Sequence, residues 1–358
     1  MLRMITRIVL LVLVAVPVWA DDVTRTFTTD AEQLEVRSLV GSVRVTPTDG
    51  DVYEAVVTVR GADATPDLLS IDLDDGRKAE LVIGFPVDRH DEYVYPELGR
   101  RQKITIMQSD GGDRSWLQRV WNAIGGERVT VRGEGSGLEV WADIELRVPS
   151  GRETEIYLGA GKLASAGVDG RLRLDSHGGA IVVNDHRGPL VCDTGSGGIE
   201  IAGADGPVLA DTGSGSVVVR DQRGGDLTVD TGSGGVNVDG VDTGKLLVDT
   251  GSGGVVARGV RADDALIDTG SGSVVLSLDR MGDGRFVIDT GSGGVELLLP
   301  ADASATISVD VGSGGIRNEI ADATVLHEAR DELKLRVGGG AADVVIDTGS
   351  GGVTVARH

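Results

Sequence analysis

Apolar and polar residues alternate most strongly in the C-terminal half of the chain, where the alternation breaks and restarts around one hexapeptide. Asp-Thr-Gly-Ser-Gly-Gly opens at Asp193, Asp230, Asp249, Asp289 and Asp347, recurs with a final Ser at Asp211 and Asp268, and has degenerate copies at Asp175 and Asp310. With each motif Asp as position zero, −3 and −1 are apolar, as in Leu190 and Cys192, Leu227 and Val229, or Leu246 and Val248. Position +6 is always Val or Ile, from Ile181 to Val353, and +8 is apolar except at Asn318. Period-two alternation puts every second side chain on one face of a strand. Each repeat therefore predicts two short β-strands flanking a glycine turn.

Successive motifs lie 18, 18, 19, 19, 19, 21, 21 and 37 residues apart. A period in this range marks a stacked-repeat architecture, because no single unit can bury its apolar row alone. The expected fold is all-β, a parallel β-solenoid of roughly a dozen coils near 50–60 Å long at about 4.8 Å per strand. The doubled last spacing predicts a cryptic coil near Val337–Gly340. In the turns, Gly195, Gly213, Gly232, Gly251, Gly270, Gly291 and Gly349 occupy +2. They are expected, with the glycines at +4 and +5, to supply positive φ. Asp and Thr are expected to bond the turn's own backbone, giving ladders of Asp, Thr and Ser along one edge.

Upstream, the pattern divides the chain. Residues 1–20 read as a signal peptide, with Arg3 and Arg7 before an apolar core and Val18-Trp19-Ala20 at the cleavage site. Residues 21–85 alternate as atypical coils that cap the array, with strands at Val52–Val59, Leu69–Leu73 and Ala79–Phe85. Residues 86–127 read as an insertion: a polar loop over His90–Arg101, then a short helix that opens at Asp113 and stops at Gly125-Gly126. Trp116, Leu117, Val120, Trp121 and Ile124 share one helical face. That face is expected to pack on the array, and Trp116 and Trp121 form a candidate partner patch. The array proper spans 128–358. With His358 three residues past the last inward position, the final strand is expected to leave an edge open to self-association.

Composition narrows the chemistry. The formal charge is −22, and losing residues 1–20 removes two arginines and no acid, making it −24. That balance argues against nucleic acid and anionic membrane faces and favours divalent cations. No later apolar run is long enough to span a bilayer. The single Cys192 excludes an internal disulfide and, at an inward position, reads as a buried thiol.

Three motifs then carry a family resemblance: Leu34-Glu-Val-Arg with Gly41-Ser-Val-Arg-Val, Ile144-Glu-Leu-Arg-Val-Pro-Ser-Gly151, and the tandem Asp-Thr-Gly-Ser-Gly-Gly-Val units. They resemble the bacterial putative adhesin family of β-strand repeats, also called toastrack domains, over most of the chain outside 86–127. The resemblance implies a β-solenoid in an envelope or surface protein, with adhesion or envelope-stress sensing as roles, and supplies no catalytic residues.

Other chemistries need different geometry. Asp-Thr-Gly-Ser is also an aspartic-protease signature, but that reaction needs two facing carboxylates that share a proton. Evenly spaced copies instead predict a row. Asp193, Asp211, Asp230, Asp249, Asp268 and Asp289 are candidate calcium ligands, since a carboxylate column repels itself unless bonded or bridged. A polysaccharide-active β-helix would need clustered acids and a base, whereas His90, His177, His186, His327 and His358 are scattered. The reading is a non-enzymatic, exported scaffold or adhesin, periplasmic or at the cell surface, that binds an envelope protein or glycan. A periplasmic stress-sensing module is the alternative, and a polysaccharide-active enzyme the second.

Overall fold

The computed structural model describes residues 23–107 and 128–358. The expected leader at 1–20 and the expected helix, with Trp116 and Trp121, lie outside the described residues. Among those described, the chain is all-β: 26 strands form one continuous, mostly parallel sheet, three form a small separate sheet, and a single 3-10 turn spans Pro96–Leu98. No described helix is long and apolar enough to cross a membrane.

Each repeat contributes a strand before the motif and a strand after it, and both pair in parallel with their counterparts one repeat away. Leu190–Thr194 pairs with Val208–Thr212, which pairs with Leu227–Thr231, which pairs with Asp242–Thr250. On the second face, Ile181–Arg187, Ile199–Asp205, Val217–Arg223 and Val236–Asp239 follow in the same way. Equal spacing makes like position meet like, so the inward columns at −3, −1, +6 and +8 become aliphatic ladders in one continuous core. Each buried Val, Leu or Ile contributes about 1.5–3 kcal/mol. Cys192 is among these buried residues, as its position predicts.

Chain order and spatial order part at the C-terminus. Arg285–Thr290 pairs with Ala342–Thr348, which bonds Ala305–Val311 on its far side. Val353–Arg357 likewise sits between Val295–Leu299 and Ile316–Asn318. The last repeat in sequence is thus the penultimate one in space. The cryptic coil expected near Val337–Gly340 does not form: Glu332–Val337 runs antiparallel on Ala305–Val311, with Thr324–Glu328 antiparallel beyond it. Gly338 and Gly340, at φ 58° and 76°, then reverse the chain. The doubled spacing encodes this cap. The expected open C-terminal edge is corrected too, because Val353–Arg357 is bonded on both sides. The strands with a free edge at this end are Ile316–Asn318 and Thr324–Glu328, and in the second Val325 and Leu326 are 49% and 42% exposed.

The N-terminal end is closed by the same device. Gln33–Thr48 pairs in parallel with Arg152–Ala166, and Lys78–Gly84 and Trp141–Pro149 lie in parallel beyond it. Ser70–Asp74 then adds antiparallel to the first of these, and Tyr53–Arg60 to the second, followed by Val23–Thr29. Glu92–Val94, Arg128–Arg132 and Lys103–Met107 make the separate sheet. The stretch His90–Arg101, expected as a polar loop, buries both its tyrosines: Tyr93 packs edge-on against Phe85 and Tyr95 against Trp141, each with ring centroids 5.6 Å apart. Aromatic burial here outweighs the surrounding charge.

Candidate functional site

The hexapeptide performs two tasks that its letters do not separate. Its Thr points inward and is buried in every intact copy. Thr250 Oγ1 donates to the Gly234 carbonyl of the preceding repeat at 3.1 Å and accepts from the Gly253 amide of its own turn at 3.0 Å. Thr231, Thr269, Thr290 and Thr348 repeat the pair of bonds. Each turn is therefore tied to itself and to its neighbour, which satisfies groups whose burial would otherwise cost about 1–3 kcal/mol each. The expected Thr ladder exists, inside the array and not along its exposed edge.

The motif glycines have a different cause from the one expected. In the seven intact copies none has φ between +20° and +160°, and only Gly179, in the degenerate copy at Asp175, takes φ 135°. At Gly253 a Cβ would overlap the carbonyl of Gly234, and at Gly251 that of Gly232. Glycine is required by the closeness of stacked backbones, and the same holds at Gly195, Gly213, Gly232, Gly270, Gly291 and Gly349. Positive φ occurs elsewhere, at +10 in the connecting arc: Asp185, Gly203, Asp221, Gly240 and Gly259 take 53°, 72°, 54°, 65° and 61°. Gly and Asp are residues that tolerate this left-handed corner. Their alternation at one offset was the signal available in the sequence.

Outward, the motif carboxylates form one column. Asp175, Asp193, Asp211, Asp230, Asp249, Asp268, Asp289, Asp347 and Asp310 are successive Cα partners. Arg173 reaches the first two, at 3.1 Å from Asp175 and 3.8 Å from Asp193. Further along, partial burial and then the neighbouring carboxylates raise Asp230 and Asp289 above the ordinary Asp range. This is a row, not a facing pair, so the shared-proton geometry of an aspartic protease is not assembled by these residues. Among the described residues no three acidic, His or Cys side chains gather as a metal site. The calcium candidates are thus brought into register but not into a cage.

Two residues before each motif Asp, at −2, the same face changes character along its length. Glu80, Glu35, Glu155 and Arg173 lead the column, and Val191, Leu209, Thr228, Leu247, Leu266, Val287 and Val345 continue it. In the charged part Glu35 is buried, bonded to Arg37, and 3.0 Å from Lys78 Nζ, which also reaches Glu155 at 3.3 Å. Burial alone would raise Glu35, but Lys78 and Arg37 hold it below the usual carboxylate value. Tyr157, which donates to Glu155 at 3.3 Å, is pushed up to about 12 by burial and that carboxylate.

The small sheet overhangs the first motif turns. His177 Nε2 lies 3.1 Å from the Thr105 carbonyl oxygen, so the His that interrupts the degenerate motif is a contact to this sheet. Beside it a groove of about 690 Å³ runs between Tyr95, Leu98 and Lys103 on one wall and Lys162, Ser196 and Ser214 on the turns. Sequence reasoning did not find this groove, because its walls come from residues about 100 positions apart. Burial lowers His186 below its ordinary value and raises the Cys192 thiol. His327 is on the C-terminal cap, 3.5 Å from Glu332.

Comparison with known proteins follows this geometry. No curated protein matches the chain. A solved structure described as a "putative cell adhesion protein" from Clostridium sporogenes aligns over 94% of this chain and 100% of its own, at 10% identity and a TM-score of 0.21. A likeness that low carries no argument about fold or role. The family model described as Toastrack DUF4097 matches residues 129–356, the span that holds every motif repeat. The chain belongs to the Toastrack DUF4097 family.

Proposed function

We propose that this chain is an exported, non-enzymatic β-solenoid that acts as an adhesion-type interaction scaffold at the cell envelope. The observation that carries the reading is the unbroken column of nine aspartates, each the Cα partner of the next. A surface that offers the same group at every strand suits repeated, shallow contact with an extended protein or glycan. A reaction centre needs unlike groups converging on one point. The basic-then-apolar leader at 1–20 supports export, and the antiparallel caps at both ends suit a unit that stays discrete.

Two measurements test the reading. N-terminal sequencing of the protein from the producing cell should begin at Asp21; an intact Met1 removes the export claim. Fractionation with an antibody to the mature chain should find it at the surface or in the medium. Confinement to the periplasm overturns adhesion and moves envelope sensing ahead.

A further inference from the structure

The −2 column on the motif-strand face points outward, yet from Val191 to Val345 it carries six aliphatic residues, one Thr and no charge. Leu209 is 42% exposed and the other aliphatics are partly exposed. The second face provides an internal control. Its outward column at +7 reads Val182, Glu200, Val218, Asn237, Val256, Val275, Glu296 and Thr354, with polar residues breaking it repeatedly. Solvent alone explains the second column and not the first.

The flanks of the aliphatic column differ. At −4 the charges are mixed, with Lys245 beside Asp226 and Asp264, and Arg285 3.8 Å from Asp343. At zero runs the carboxylate column, and from Asp230 to Asp347 no described basic side chain forms an ion pair with it. The raised values at Asp230 and Asp289 agree, since the charges acting on each are its two neighbouring aspartates. A second copy docked by this face would oppose two such columns, at a Coulombic cost.

We infer that this face docks a cationic amphipathic helix of a partner protein, its apolar side on the Val191–Val345 column and its Lys or Arg side on the aspartates. Pitch selects a helix over an extended peptide. The column steps about 4.8 Å per strand, close to the 5.4 Å helical turn, whereas alternate residues of an extended chain recur every 6.8 Å or so. Six steps span about 29 Å, the length of about 19 helical residues. The inference deepens the scaffold reading by naming a partner class. Its test uses purified protein, so its outcome is independent of where the cell places the chain.

The probe is a synthetic helical peptide of about 18 residues, leucines on one face and lysines on the other, with a Leu/Glu peptide as its counterpart. Titration into the mature chain should show saturable binding of the Leu/Lys peptide that weakens with salt, and none of the Leu/Glu peptide. The combined change Leu209→Ser, Leu247→Ser, Leu266→Ser keeps the net charge and should weaken binding about tenfold or more. Val218→Ser, Val256→Ser, Val275→Ser on the second face should leave it unchanged, and circular dichroism should show both variants folded. Asp230→Asn, Asp249→Asn, Asp268→Asn supplies the second test, with weaker binding and a shallower salt dependence. Equal affinity across the two serine variants reduces the interaction to bulk charge and overturns the inference. So does a concentration-dependent dimer that Leu209→Ser, Leu247→Ser, Leu266→Ser abolishes, because it gives the face to a second copy.

Discussion

Along one outward face, two regions built on the same strand positions settle their charge in opposite ways. At the N-terminal end, Glu35, Arg37, Lys78 and Glu155 interlock, Arg173 pairs with Asp175 beside them, and each of these acids has a base within reach. From Val191 to Val345 the same column is aliphatic except at Thr228, and the adjacent one is all carboxylate. The first region is closed on itself, and removing Arg37 leaves the buried Glu35 charge short of a partner. The second is kept in register by what lies beneath it, the Thr bonds and the close glycine stacking, so its outward groups are free to vary. One lattice of strands thus supports a sealed patch and an open one.

The largest effect is expected in the sealed patch. Arg37→Ala strips Glu35 of a bonded partner and should cost about 3 kcal/mol, measured as a shift in the denaturant midpoint. An effect of a few tenths would show the patch to be ordinary surface. Beneath the open region, Gly253→Ala forces a methyl against the Gly234 carbonyl and should cost about 2–3 kcal/mol. Gly240→Ala, at a left-handed corner with no such overlap, should cost about 1–2 kcal/mol; the reverse order would exchange the roles assigned to the two turns. Thr250→Val keeps the shape and leaves the Gly234 carbonyl and Gly253 amide unbonded, for about 1–2 kcal/mol.

Acid separates the two regions by sign. Glu35 has a lowered folded value, so its contribution is complete above the ordinary Glu value of about 4.3 and is lost as pH falls through the lower folded one. Asp230 and Asp289 have raised folded values, so their repulsion is relieved as pH falls through those values toward the ordinary Asp value of about 3.9. Mild acidification from pH 7 should therefore raise Tm slightly before stronger acid lowers it. Asp230→Asn with Asp289→Asn should flatten the initial rise, and a rise that persists in that variant would place its origin outside the column.

The repeat was legible because its signal is redundant: nine copies place Val or Ile at +6, and the inward ladders follow from alternation alone. What each glycine is for was not legible, since close stacking and positive φ select the same residue. Only the coordinates divide Gly253 from Gly240. The spatial order of the final repeat was also hidden. Arg285–Thr290 presents the same apolar positions to Ala305–Val311 as to Ala342–Thr348, so pattern cannot choose between them. The groove beside Tyr95 was missed because its walls are remote in sequence. The aliphatic column at −2 was present in the letters but is an outward position, where alternation leads a reader to expect polar residues.

Both the surface columns and the closure of the array depend on that exchange of the last two repeats, and cysteine pairing tests it directly. Val287 and Val345 are Cα partners, as are Val345 and Ser308, which leaves Val287 and Ser308 two strands apart. A disulfide tolerates Cα separations up to about 7 Å, and two strand steps are about 9.6 Å. Oxidation of folded Val287→Cys, Val345→Cys protein should give the crosslink in high yield, with Cys192 buried and unreactive, while Val287→Cys, Ser308→Cys protein should stay reduced. A crosslink in the second variant and none in the first would mean that the repeats stack in chain order, and would contradict this account.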